Sequence, residues 1–208
     1  MIAYILAGLV LVVLSGLLFH RYWFCRQPRR RVPRTPKSIV SPANGRLTVI
    51  KQFSTPRTTV QKWNRGSVEV LCEDVAPRGW FLLIVMTPLN VHYQRAPSDA
   101  TLLDERYHAG SFRNAVKNAE QLLTLGNERN EMLFEGTYGR FKVVQIAGFL
   151  ARRITSFLNK GQAVRKGEVI GFINLGSQVA VVLPENVELA VREGETLIDG
   201  ESILGVWT

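Results

Sequence analysis

No aspartate or glutamate occurs before Glu69, although twelve of the 26 lysines and arginines in this 208-residue chain lie in that stretch. The remainder carries 14 basic against 17 acidic residues, so the body is mildly acidic and the net charge of +9 belongs to the N-terminal part. A nucleic-acid-binding body is thereby excluded, since it would gather basic residues and aromatics on its folded surface. Cysteine is scarce: Cys25 and Cys72 are too few for a disulfide framework. The three histidines add little for metal chemistry. His20, His92 and His108 form no ligand spacing with the cysteines, and no metal site is expected.

Charge is also missing from residues 1–19, MIAYILAGLVLVVLSGLLF. At about 1.5 Å rise per residue, a helix of that length nearly crosses a hydrocarbon layer of about 30 Å. A secretory signal would begin with basic residues and end in a small-residue cleavage site, and a buried core helix is the other alternative. This run has neither signal feature and passes straight into RYWFCRQPRRRVPRTPK. The expectation is an uncleaved membrane anchor over residues 1–20 and a basic, proline-rich extended linker over 21–37. The seven lysines and arginines of 21–37 would stay on the cytoplasmic side and contact anionic head groups. Tyr22, Trp23 and Phe24 stand where an interfacial aromatic belt would sit.

Residues 38–208 read as one domain, mostly short strand-like runs: RLTVIKQF, SVEVLCEDV, WFLLIVM, MLFEGTYGRFKVVQIAGF and QVAVVLP. One helix is predicted over 114–125, where Ala115, Ala119, Leu122 and Leu123 share a face. Near the C-terminus, Gly161-x2-Val164-x2-Gly167-x2-Ile170 recurs as Gly194-x2-Leu197-x2-Gly200-x2-Ile203, an offset of 33 residues. Such glycines predict two similar β-hairpin units, as in barrel-sandwich domains of the lipoyl type. The fold class expected is therefore α+β: a β-rich, barrel-sandwich-like domain with few helices, preceded by a transmembrane helix.

Between the two units lies NLGSQVAVVLP, residues 174–184. Gly176 and Ser177 open an otherwise apolar strand to which they contribute almost no packing. A tight turn is one reading and a nucleophile is the other. A serine hydroxyl can attack the carbonyl carbon of the glycine before it, giving an ester. β-Elimination then cuts the chain, and hydrolysis of the resulting dehydroalanine leaves a pyruvoyl group and ammonia. That ketone forms imines with amines and accepts the electrons left by a departing carboxylate.

SPANGRL (41–47), MTPLNVHYQRAP (86–97), NERNEMLFEGTYGRFKVVQIAGFLARRI (127–154) and INLGSQVAVVLP (173–184) together resemble the phosphatidylserine decarboxylase family in its short form. The resemblance implies autocatalytic cleavage between Gly176 and Ser177. The products would be a β chain, 1–176, and an α chain, 177–208, that begins with pyruvoyl; the two would remain together as a heterodimer. It implies phosphatidylserine as substrate, membrane lipids as the other partner, and a cell-membrane location with the catalytic domain on the cytoplasmic side. His92 matches a family histidine in a Pro-x-x-x-His pattern and takes the acid and base role. His108 is read as structural.

The family pattern is not fully kept. Longer members have aspartate at the positions of Asn44 and Asn90 and a second histidine at that of Arg95. An amide has no titratable proton near neutral pH, so Asn44 is assigned an orienting or polarising role. Arg95, an arginine in short members too, would hold a carboxylate or phosphate, or else lie on the surface. Arg153, of the pair Arg152-Arg153, is a second candidate phosphate contact. Three alternatives stand beside this reading: a non-cleaving, lipid-binding relative, a lipoyl-like binding module, and a decarboxylase of archaetidylserine. The binding module is disfavoured because residues 174–190 contain no lysine to carry a group.

Overall fold

Uninterrupted apolar runs bounded by turn residues form the centre of the molecule. The computed structural model describes residues 1–61, 67–109, 128–147, 154–174 and 177–208. Gly176, Arg152, Arg153 and the helix predicted over 114–125 lie outside the described residues.

The strands are β1 (Ser38–Val40), β2 (Gly45–Phe53), β3 (Arg57–Gln61), β4 (Ser67–Leu71), β5 (Gly79–Val85), β6 (Tyr93–Arg95), β7 (Ala100–His108) and β8 (Arg129–Gly136). They continue as β9 (Gly139–Ile146), β10 (Ile154–Ser156), β11 (Ala163–Val164), β12 (Val169–Ile173), β13 (Gln178–Pro184), β14 (Val187–Leu189), β15 (Thr196–Leu197) and β16 (Ile203–Trp207). Eight of them form one curled antiparallel sheet in the order β11-β7-β8-β9-β13-β5-β2-β15. With a single described α-helix, α1 (Ile2–Leu18), the protein is α+β with few helices.

β13 lies in the middle of that sheet, bonded to β5 on one side and β9 on the other. It reads as a continuous apolar run because both of its faces are covered. Val179, Val181 and Leu183 point into the main core with Leu82, Ile84, Phe141 and Val143. Ala180 and Val182 enter a second core with Phe53, Val70, Cys72, Phe81 and Leu83. A strand covered on one side only would alternate apolar with polar.

The glycine repeat is real, but it does not build hairpins. Gly161, Gly167, Gly194 and Gly200 all have positive φ, from 73° to 91°, which only glycine adopts without strain. The strands they join pair elsewhere: β11 with β7, β12 with β6 and β10, β15 with β2, β16 with β1 and β14. What repeats is a half of the domain. Gly161 and Gly194 donate to Leu102 and Leu47, and Gly167 and Gly200 donate to Ala96 and Ser41. The two halves also clasp each other reciprocally, Val40 donating to Pro97 and Arg95 to Pro42, both at 2.9 Å.

α1 is apolar all round, with Ile5, Leu9, Leu11, Val12 and Leu17 all exposed, as a helix facing lipid requires. It runs on through a π-helical turn, Phe19–Phe24. Residues 4–24 are long and apolar enough to cross a membrane. Residues 26–35, which follow, form neither helix nor strand and are docked along the body. Arg26 donates to the Leu89 carbonyl at 2.6 Å, Arg30 pairs with Asp199, and the Arg31 amide donates to Glu201 at 2.9 Å. Asp199 and Glu201 lie in a turn of the repeat and Leu89 in the loop after β5, so part of the basic run expected at lipid head groups is taken up by the protein itself.

Candidate active site

Ser177 immediately precedes β13, and the register of that strand fixes its place. Its carbonyl accepts from the Met86 amide at 3.0 Å, extending the pairing of β13 with β5 by one step. The side chain is buried, and its hydroxyl donates to the Met86 sulfur at 3.5 Å, a weak acceptor. The hydroxyl is thus shielded from water and, among the described residues, held by no strong partner.

β5 then leads into a polar turn. Asn90 Oδ1 accepts from the amide and the hydroxyl of Thr87, at 2.7 and 2.8 Å, so the turn closes on itself. His92 follows, fully buried. The amide of Ile173, shortly before Ser177 in the chain, donates to the His92 carbonyl at 3.1 Å. Met86 is thus bonded to Ser177 and His92 to Ile173, so the segments that carry Ser177 and His92 are joined at two points.

The chemistry of His92 follows from its partners. Nδ1 lies 2.9 Å from the Asn90 carbonyl, and a carbonyl only accepts, so Nδ1 carries the hydrogen. Nε2 is left as a bare lone pair, buried and without a hydrogen-bond partner among the described residues. Burial pushes the imidazole pKa down to about 4; the Asn90 hydrogen bond opposes that shift and the nearby Arg26 charge adds to it. At neutral pH the ring is a base with a free acceptor atom.

Asn44, in the turn between β1 and β2, supports this arrangement from the side. Its Oδ1 accepts from Asn90 Nδ2 at 2.8 Å and from the Val91 amide at 3.2 Å, while its Nδ2 donates to the Leu197 carbonyl at 3.2 Å. Asp99 occupies the matching turn of the other half and instead accepts from the Lys166 amide at 2.7 Å. The internal symmetry is broken where Asn44 turns toward the 90–91 backbone.

Arg95 is not brought to this group. The anion it holds is Asp199, at 2.8 Å, and its two remaining nitrogens donate to the carbonyls of Gly167 and Pro28 at 2.8 and 3.0 Å. All three guanidinium nitrogens are engaged within the protein. His108, at the end of β7, lies 3.7 Å from the Glu131 carboxylate. Within the 127–131 segment, Glu128 accepts from Tyr107 and from the Ile154 amide, so it ties three elements together.

Sequence reasoning missed a buried amide chain behind the histidine. Gln94 donates to the His92 carbonyl at 2.8 Å, Gln145 to Gln94 at 2.8 Å, and Asn130 to Gln145 at 3.1 Å. All three are buried. The signal was present: Gln145 interrupts the apolar run KVVQIAGF, and a polar residue kept inside a core needs a partner.

The site residues thus stand inside a β-rich body: a buried hydroxyl just before a central strand, a buried histidine on a segment bonded to the one before that strand, and an asparagine bracing the turn that leads to the histidine. Residues 18–205 match the family model described as phosphatidylserine decarboxylase. The phosphatidylserine decarboxylase proenzyme of Chlorobaculum tepidum is 33% identical over 199 residues, covering 95% of this chain and 83% of that protein. The putative archaetidylserine decarboxylase proenzyme of Methanocaldococcus jannaschii is 34% identical over 197 residues, covering 94% and 93%. The phosphatidylserine decarboxylase proenzyme of Ehrlichia chaffeensis is 34% identical over 199 residues, covering 95% and 78%. The chain belongs to the phosphatidylserine decarboxylase family, a family of carboxy-lyases.

Proposed function

We propose that this chain is made as a proenzyme, cuts itself between Gly176 and Ser177, and decarboxylates phosphatidylserine to phosphatidylethanolamine with a pyruvoyl group formed from Ser177. The observation that supports it most is the placement of Ser177: buried, weakly held, and stitched to the segment that carries an unpartnered histidine nitrogen. These residues fit the group. A ketone at position 177 would sit at the start of a rigid central strand, shielded from water, on a segment bonded to the one that carries His92. When formed, it supplies the electron sink into which the carboxylate electrons of the substrate move.

The chain's own residues do the rest. His92 Nε2 takes up and returns a proton, and because its conjugate acid is strong, it gives that proton readily to the carbon that carbon dioxide has left. Asn44 and Asn90 hold the turn that aims the ring. The fragments stay together after cleavage because β13, in the small one, is bonded on both sides to strands of the large one. The Arg95–Asp199 pair adds a buried ionic link between them. The anchor keeps the site at the interface where an amphipathic lipid resides, with the body on the cytoplasmic side. An archaeal lipid would present the same head group, and no observation at the site favours it. Arg153 keeps its role as a phosphate contact only as part of this proposal.

Mass spectrometry of the purified protein tests the reading. The expected result is a fragment spanning 177–208 whose first residue is pyruvoyl, together with carbon dioxide release from serine-labelled lipid. One continuous chain with an unmodified Ser177 would overturn it.

Asn44→Asp keeps both acceptor bonds, gives up the donation to Leu197 and sets a negative charge beside the His92 turn. Self-cleavage is expected to run about threefold faster or more, since a carboxylate favours the protonated imidazole. Pulse-chase electrophoresis reads the rate, and an unchanged rate would make Asn44 a turn residue only.

A further inference from the structure

Phe24 closes the membrane-crossing helix, where an aromatic residue is expected to face lipid head groups. Its neighbours Tyr22 and Trp23 are exposed in that way, at 73% and 49%. Phe24 is instead fully buried. Its ring packs on the imidazole of His92, with centroids 4.1 Å apart and planes inclined by 35°. Phe172 meets it edge-on at 6.0 Å, and His20, one turn back, stacks behind it at 5.5 Å.

The segment that follows is clamped in place. Arg26 donates to the Leu89 carbonyl, within the turn before His92. Arg30 shares with Arg95 the fully buried carboxylate of Asp199. Val32 fills the space above Gly167, where any side chain on that residue would collide with it. Phe24 is thus held on His92 by contacts reaching into the part of the chain beyond residue 177.

We propose that Phe24 is a positioning residue of the active site: it presses the His92 ring into its hydrogen bond with Asn90 and keeps water from Nε2, so that the membrane helix and the proton carrier act as one unit. The inference rests on the role given to His92 above and extends it. A ring fixed by one hydrogen bond can still turn about its last side-chain torsion. A second ring against its face removes that freedom and dries the site. The charges and polar groups around His92 do not substitute for it: Arg26 opposes protonation, Asn90 and Asn44 are neutral amides, His20 stacks on Phe24, and Phe172 and Ile173 are apolar.

The test uses the full-length chain in detergent micelles, 15N-labelled at its three histidines. In Phe24→Ala, the His92 titration is expected to rise by about one pH unit or more as water reaches the ring. In the same variant kcat for decarboxylation should fall about tenfold, KM should change by less than about threefold, and Phe24→Leu should restore most of the loss. An unshifted His92 titration with unchanged kcat would overturn the proposal. If Phe24→Ala does not fold, Phe24→Leu and Phe24→Val carry the test: a graded upward shift supports it, and wild-type midpoints in both overturn it. The titration needs no turnover, so a wild-type chain that releases no carbon dioxide sinks the decarboxylase reading alone, and the titration then decides Phe24.

Discussion

Ser177→Ala should leave one uncut chain that releases no carbon dioxide above background, a loss of at least about 10³-fold given the 10⁶-fold or larger acceleration typical of enzymes. The variant is informative because it should stay folded. Among the described residues the Ser177 hydroxyl gives up only a contact with the Met86 sulfur at 3.5 Å, while the backbone bond from Met86 to the Ser177 carbonyl does not involve the side chain. Losing so weak a hydrogen bond costs less than about 1 kcal/mol. A thermal midpoint close to that of the uncut wild-type chain, together with a single band on electrophoresis, separates lost chemistry from lost structure. Normal processing of the alanine variant would remove Ser177 as the nucleophile.

The parts of this molecule that could be read from its sequence are those governed by local rules. The run QVAVVLP is a strand because its residues are β-branched or apolar, and its lack of alternation follows from cores on both faces. The four repeat glycines mark turns because only glycine accepts their φ. Ser177 and His92 stand out as candidates because a glycine-serine pair and a Pro-x-x-x-His pattern sit in short motifs, and both side chains are buried. What the glycines join was not legible. A hairpin and a two-half clasp share the same turn chemistry, and strand partners are set by contacts far apart in the chain. The docked segment escaped for a related reason. A basic, proline-rich stretch reads as solvated linker or lipid contact unless the acceptors are known, and Asp199 lies 169 residues from Arg30. Arg95 illustrates the same blindness. Its charge suggested an anionic ligand, and the anion beside it is a carboxylate of the protein.

His92→Gln should lower decarboxylation by about 10²- to 10⁴-fold, the usual worth of a positioned acid and base. The glutamine amide can still donate to the Asn90 carbonyl, so the turn is kept while the titrating nitrogen is lost. The wild-type ring also leaves a pH signature. Its pKa is about 4 in the folded chain against an ordinary 6.5, so between those values the unfolded chain binds a proton that the folded chain does not. The stability owed to the neutral ring is complete above pH 6.5 and is lost as the pH falls toward 4. Thermal midpoints taken at pH 7.5 and 4.5 should therefore drop further in wild type than in His92→Gln. Activity should persist below pH 6 and fail only near the depressed pKa, because Nε2 stays unprotonated down to that point. Equal midpoint losses in the two proteins, or full turnover by the glutamine variant, would demote His92 to a residue that only fills the core beneath Phe24.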